Sequence, residues 1–277
     1  MRRRATSLIL FVYALIYSGS ATSSPPTYSA EYNAAAIAYQ SGDFDRAAKL
    51  LAALEMTGDL NARGALSLMY FQGRGVSKNI ETAERLSKSA ALEGVPIAQH
   101  VQGLLNSEVE GRAPNYKEAT RWFTLAAEQG YVESQVNVGV IYFQGKWVER
   151  DLKRGLFWTQ KAADQGFAPA QDNLGKVYRE GVGTQVDHKM AAYWYSKSAT
   201  QGYARALNAL GVMHLNGTGV KRSKVIAYAH FDIAGKRGDE TARMNQAKLH
   251  PQLTLEERNR AMKLASNWKP GSPLPNE

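Results

Sequence analysis

Cysteine is absent from all 277 residues. Without a thiol there is no disulfide framework and no cysteine-borne lipid anchor, so stability has to come from packing alone. A membrane-spanning run is missing too: the apolar stretch Leu8 to Tyr17 is ten residues long, and a bilayer crossing needs roughly 20. The five histidines (His100, His188, His214, His230, His250) show no metal-ligand spacing. No paired carboxylates, serine–histidine constellation or phosphate-binding loop emerges. The sequence therefore predicts no enzyme, no cofactor and no metal. Acidic residues are the minority, 25 against 34 Lys and Arg, for a formal charge of +9. That excess is spread along the chain and favours acidic surfaces only mildly.

The first residues differ in kind from the rest. Arg2-Arg3-Arg4 precedes the apolar stretch, and Gly19-Ser20-Ala21 follows as a small-x-small cleavage site. This is the layout of a secretory signal peptide, expected over 1–21. Its removal lowers the charge to +6 and leaves a chain that is periplasmic or secreted, with no stable membrane insertion. Export also argues against nucleic acid as the partner.

Beyond it the chain is periodic. Gly58, Gly94, Gly130, Gly166, Gly202 and Gly238 lie 36 residues apart without a slip. Ala47, Ala83, Ala119, Gly155, Ala191 and Ala227 keep the same register, as do Leu50, Leu86, Trp122, Trp158, Trp194 and His230. Their three- and four-residue offsets put each set on one stripe of a helix. Asp43, Asn79, Asn115, Asp151, Asp187 and Ser223 hold the matching N-cap position, and the glycines stand where a helix ends in a left-handed residue. A first helix precedes each of these, marked by Ala170, Leu174 and Tyr178 at i, i+4, i+8 and followed by Gly181 and Gly183. Gly175 in that run predicts close contact between paired helices.

This pattern, A-x3-L-G-x2-Y-x2-G-x-G followed by A-x2-W-x3-A-A-x2-G, resembles the Sel1-like repeat, a relative of the tetratricopeptide repeat, over about residues 34 to 248. The resemblance implies an all-α fold, a right-handed α/α superhelical solenoid of helix hairpins. The expected division is a linker over 22–30, a tetratricopeptide-like capping hairpin over 31–58, and repeats over 59–94, 95–130, 131–166, 167–202 and 203–238. C-terminal capping helices over 239–268 and a flexible tail over 269–277 complete it. Thr254-x-x-Glu257 is a capping-box signature for the last helix. Departures are local: Gln102, Asn106 and Val109 replace Leu, Tyr and Gly, predicting an irregular loop, and His230 replaces Trp.

What the resemblance implies about function is binding of another protein. In tetratricopeptide arrays the first helices line a concave groove, with contacts two before, two after and five after the repeat's leucine. Carried onto this sequence, the candidates are Leu68 and Phe71; His100 and Leu104; Val136, Val140 and Phe143; Asp172, Lys176 and Arg179; and Asn208, Val212 and Leu215. Gly64 and Ser107 fall at the remaining positions. A charged triad between apolar ones suits a peptide with a polar centre. The alternative is that these residues pack against one another in a tightly curled array. Asn137 and Asn173 match only a fraction of the carboxylate clamp of chaperone-binding arrays. Trp122, Trp158 and Trp194 could form a sugar-stacking ladder, but their register with Leu50 and Leu86 predicts core. Asn216-Gly217-Thr218 is a glycosylation sequon on a repeat loop.

The resemblance thus implies a non-catalytic adaptor or regulator in the cell envelope, since such proteins regulate membrane sensors, serve exopolysaccharide and envelope assembly, or contact host proteins. The rival is a peptidoglycan- or glycan-associated module or enzyme acting on the cell wall. Oligomeric state is open.

Overall fold

The computed structural model describes residues 28–107 and 109–275; the expected signal peptide and most of the linker lie outside the described residues. These residues form fourteen α-helices and no strand. The helices are α1 (Ala30–Gln40), α2 (Phe44–Met56), α3 (Leu60–Gln72), α4 (Ile80–Leu92), α5 (Pro96–Ser107), α6 (Tyr116–Glu128) and α7 (Val132–Gln144). They continue as α8 (Leu152–Asp164), α9 (Ala168–Glu180), α10 (His188–Thr200), α11 (Ala204–Asn216), α12 (Lys224–Lys236), α13 (Glu240–Leu249) and α14 (Leu255–Asn267). Two compact units divide between Trp158 and Thr159, inside α8.

The second helix of each hairpin is written almost entirely by local rules. Asp43, Asn79, Asn115, Asp151, Asp187 and Ser223 each accept, through the side chain, the N–H three residues on. This satisfies one orphan donor of every first turn. All six register glycines have φ between 84° and 94°, the left-handed conformation that ends the helix. The alanine stripe is fully buried at Ala47, Ala83, Ala119, Ala191 and Ala227. The loop after α5, expected to be irregular, closes on the same bond as the others: Asn115 N–H donates to Asn106 O, as Asn79 does to Tyr70 and Asp187 to Tyr178.

Within a hairpin, a ring of the second helix lies on a glycine of the first. A Cβ at Gly103, Gly175 or Gly211 would fall 2.5–2.7 Å from Phe123, Tyr195 or Phe231. The hairpin α7–α8 inverts this arrangement. Gly155, which stands where the repeat has alanine, makes room for Phe143 of α7, whose ring a Cβ there would meet at 2.7 Å.

A row of polar side chains not foreseen from the sequence ties hairpin to hairpin. Gln99, Gln135 and Gln171, again 36 apart, are buried and donate to Ala91, Ala127 and Ala163 carbonyls. Arg243 does the same to Gly235. Each gives a second donor to a last-turn carbonyl that already accepts the N–H of the register glycine at 94, 130, 166 or 238. The side-chain amides of Gln129 and Gln201 then donate to the Oε1 atoms of Gln99 and Gln171 at 2.8 Å.

The capping box of α14 forms, Thr254 and Glu257 bonding reciprocally. The segment after α14, where a flexible tail is expected, makes contacts with the unit over its described residues. Gly271 N–H donates to Thr200 O at 2.8 Å, Arg237 lies over the buried Trp268, and Leu274 and Pro275 pack inward. Trp268 and Leu274 supply apolar surface that outweighs the prolines around them.

The loop glycines give a sharp comparison. At Gly219 (φ 71°) an added Cβ would lie 2.2 Å from His188 O, whereas at Gly238 (φ 94°) it would meet nothing. Gly238→Ala should cost only the left-handed strain, about 1–2 kcal/mol, and Gly219→Ala that strain plus a backbone clash, about 2–5 kcal/mol. Urea unfolding of the two variants side by side checks the ordering; equal losses would refute it.

Candidate functional site

The candidate residues separate sharply by burial. In residues 28–158, Leu68 is 4% and His100 6% exposed, so neither offers surface to a partner. His100 Nδ1 instead meets Ser134 Oγ at 2.8 Å, and its ring lies against Phe123 and Tyr131. Burial pushes this imidazole down to about 3. Phe71 and Leu104 are half-buried against the core of the unit. Val136 is half-buried as well, and Phe143 is committed to Gly155. Val140 stands out at 37% exposed. It borders a cavity of about 190 Å³ together with Phe123, Ile141 and Trp147.

The same unit holds a buried carboxyl that the sequence did not single out. Glu133 Oε2 is inaccessible and without a hydrogen-bond partner. Desolvation raises the group to about 7. Its charge is felt by the buried phenols of Tyr39 and Tyr131, which burial pushes upward. A buried carboxyl oxygen without a partner is costly, and here it lies within electrostatic reach of two phenols.

In residues 159–275 the candidate face is polar. Asp172 on α9 is 3% exposed, with Arg205 of α11 at 3.3 Å. Desolvation lifts its carboxyl to about 6, against the opposing pull of Arg205, Arg179 and Lys176. Lys176 is exposed, and Arg179 pairs with Glu180 at 2.6 Å. Asn208 accepts from Asn245 at 2.9 Å. Val212 and Leu215 are half-buried against the core. The structure therefore brings Asp172, Lys176 and Arg179 to the same charged face as Arg205. Arg205 and Asn245 fall outside the three groove positions and were missed for that reason.

The tryptophans are bound into the helix layer to different degrees. Trp194 is 5% exposed, whereas Trp122 and Trp158 are half-buried. Arg121 lies 4.9 Å over Trp122 and Lys197 5.4 Å over Trp194, so a cation already sits over one face of each of these two rings. Among the described residues no group of three or more His, Asp or Glu is placed to hold a metal. Nor is any described helix long and apolar enough to cross a membrane.

Comparison with known proteins agrees with this architecture. The Sel1 repeat pattern matches residues 61–95, 103–131, 132–167, 168–203 and 204–239. Among solved structures, the chain is similar to a Sel1 repeat protein from Oxalobacter formigenes at 22% identity and TM-score 0.69, covering 89% of this chain and all of that one. It is similar to the protective antigen c5321 of uropathogenic Escherichia coli at 24% identity and TM-score 0.51, covering 83% of this chain and 58% of that one. A third is the immunity protein Pa5087 of Pseudomonas aeruginosa, at 20% identity and TM-score 0.50, covering 82% and 83%. No curated protein matches. Five matched repeats spanning most of the sequence place the chain in the Sel1 repeat family, whose solenoids typically act as non-catalytic scaffolds for protein–protein interaction.

Proposed function

We propose that this chain is an exported, non-catalytic adaptor or regulator that binds an envelope protein through the first-helix faces of its repeats. The observation that carries this is the charged face of α9 and α11. Packing of an α/α array asks for small and apolar residues, yet Asp172, Lys176, Arg179 and Arg205 stand together there, with Asp172 held almost out of water. Keeping a carboxylate so placed costs desolvation, a cost that array stability gives no reason to bear. Such charges steer and select a partner rather than add bulk affinity.

Lys176 and Val140 are the exposed members of the candidate set, so they are the ones to change. Crosslinking in the native compartment followed by mass spectrometry should identify a protein partner. Lys176→Glu with Val140→Glu should reduce its capture at least about tenfold, equivalent to about 1.4 kcal/mol, with helical content and Tm preserved. Undiminished capture by a folded variant would refute the surface. Retention by purified cell wall, with no protein crosslinked, would replace the adaptor assignment by glycan binding.

A further inference from the structure

The second loop glycine of the repeat is replaced at position 147, and the cavity beside Val140 lies at that replacement. Positions 75, 111, 183 and 219 are glycines with positive φ; position 147 is tryptophan. At Gly75 and Gly219 the loop runs so close to the preceding second helix that a Cβ would fall 2.1 and 2.2 Å from the carbonyl oxygens of Phe44 and His188. The equivalent of those residues before Trp147 is Tyr116, the first residue of α6. Trp147 cannot make the glycine contact and stacks on the Tyr116 ring instead, 4.5 Å between centroids and 17° between planes. The loop keeps the closing bond of the others, Asp151 N–H to Tyr142 O, but carries an aromatic pair, and Trp147 becomes a wall of the cavity.

The contents of that cavity define what fits it. Its volume, about 190 Å³, is below the roughly 300–1,000 Å³ of ordinary small-molecule and cofactor sites, and matches one side chain. The base is apolar: Phe123 and Ile141 are buried, and Val140 borders it. The polar members are Asn137, Gln144 and Lys146. The side chains of these three make no hydrogen bond or ion pair with another described residue. The stretch from Gly145 to Arg154 carries Lys146, Arg150, Lys153 and Arg154 against Glu149 and Asp151.

We propose that this cavity seats one apolar side chain of a partner polypeptide next to an acidic residue, whose carboxylate pairs with Lys146. This rests on the protein-binding function proposed above and gives that partner a local chemistry. An apolar anchor in a small pocket with a polar edge is how a few residues come to dominate an interface. An acidic sugar could use the same lysine and amides. It would, however, press hydroxyls against Phe123 and Ile141, where nothing can accept or donate, and that desolvation is unfavourable.

The test is an NMR titration of the purified protein with acetyl-Asp-Phe-Glu-amide. Saturable shifts are expected at the Trp147 indole N–H and the Val140 and Ile141 methyls. Acetyl-Asp-Ala-Glu-amide and acetyl-Lys-Phe-Lys-amide should bind at least about tenfold more weakly. Lys146→Glu, an exposed change, should reverse the preference between the two phenylalanine peptides. Trp147→Gly, which restores the register residue and removes one wall of the cavity, should abolish the response at the Val140 and Ile141 methyls in a protein whose helical content is unchanged at the temperature of the titration. Equal response to all three peptides, no saturable shift, or saturation by glucuronic acid alone would overturn the proposal. Compartment crosslinking reports partner binding without reference to this cavity, so a silent cavity beside an intact crosslink removes the pocket and leaves the adaptor assignment standing.

Discussion

Phe231→Ala should lower the unfolding free energy by about 3–5 kcal/mol, and adding Gly211→Ala should return part of that loss. The ring of Phe231 is fully buried and sits directly on Gly211, where a Cβ would fall 2.5 Å from it. Gly211→Ala alone therefore overpacks the hairpin and should destabilise by about 1–3 kcal/mol. Once the ring is gone the same methyl enters empty space, and alanine brings up to about 1 kcal/mol of helix propensity over glycine. The glycine substitution should thus change sign between the two backgrounds. Urea unfolding of the four members of the cycle measures it directly. Additive losses would show that ring and glycine do not share one contact, and that the repeat's glycine serves some other purpose.

That contact illustrates what sequence could and could not deliver. The second helices were legible nearly to the residue because three independent local rules coincide there: an N-cap side chain, an apolar stripe and a left-handed glycine. The existence of a close approach at Gly175 and its equivalents was legible as well. The ring that fills it was not, although Phe123, Tyr195 and Phe231 share the 36-residue register, which only Thr159 interrupts. The buried glutamines at 99, 135 and 171 carried the same readable signal. Gly155 is the informative departure, since a glycine in an alanine row says that something large must enter, and Phe143 does.

The candidate site was less legible, for a physical reason. Positions two before, two after and five after a leucine face a partner only where neighbouring first helices leave them uncovered. Coverage is set by packing between helices, which no single helix encodes. Leu68 and His100 are therefore interior, Asp172 is buried behind Arg205, and Val140 and Lys176 remain accessible. Trp147 was visible as a missing glycine, but its consequence depends on Tyr116 at the start of the previous helix. Contacts of that kind appear only when the array is folded.

Acidification should expose a second property written into the register. His230 occupies a tryptophan position and is 1% exposed. Its Nδ1 bonds to Ile226 O within the same helix, and its Nε2 is buried with no partner. Burial, assisted by the ring of His214 stacked at 5.4 Å, lowers the imidazole to about 4. An unfolded histidine titrates near about 6.5. Between those values the unfolded chain takes up a proton that the folded chain refuses. The stability is therefore complete above about pH 6.5 and is lost as pH falls toward 4. The difference corresponds to about 3 kcal/mol at the acid end. The raised carboxyls of Glu133 and Asp172 act in the opposite sense over much of this range, so the wild-type profile alone would mislead. His230→Leu isolates the effect, because it removes one titrating group and leaves both carboxyls in place. Whatever offset exists at pH 8, the stability of the variant relative to wild type should rise by about 1.4 kcal/mol per pH unit between pH 6.5 and 4. Urea unfolding at four pH values reads that slope, and a gap that stays constant with pH would mean that His230 is protonated as readily inside the fold as outside it.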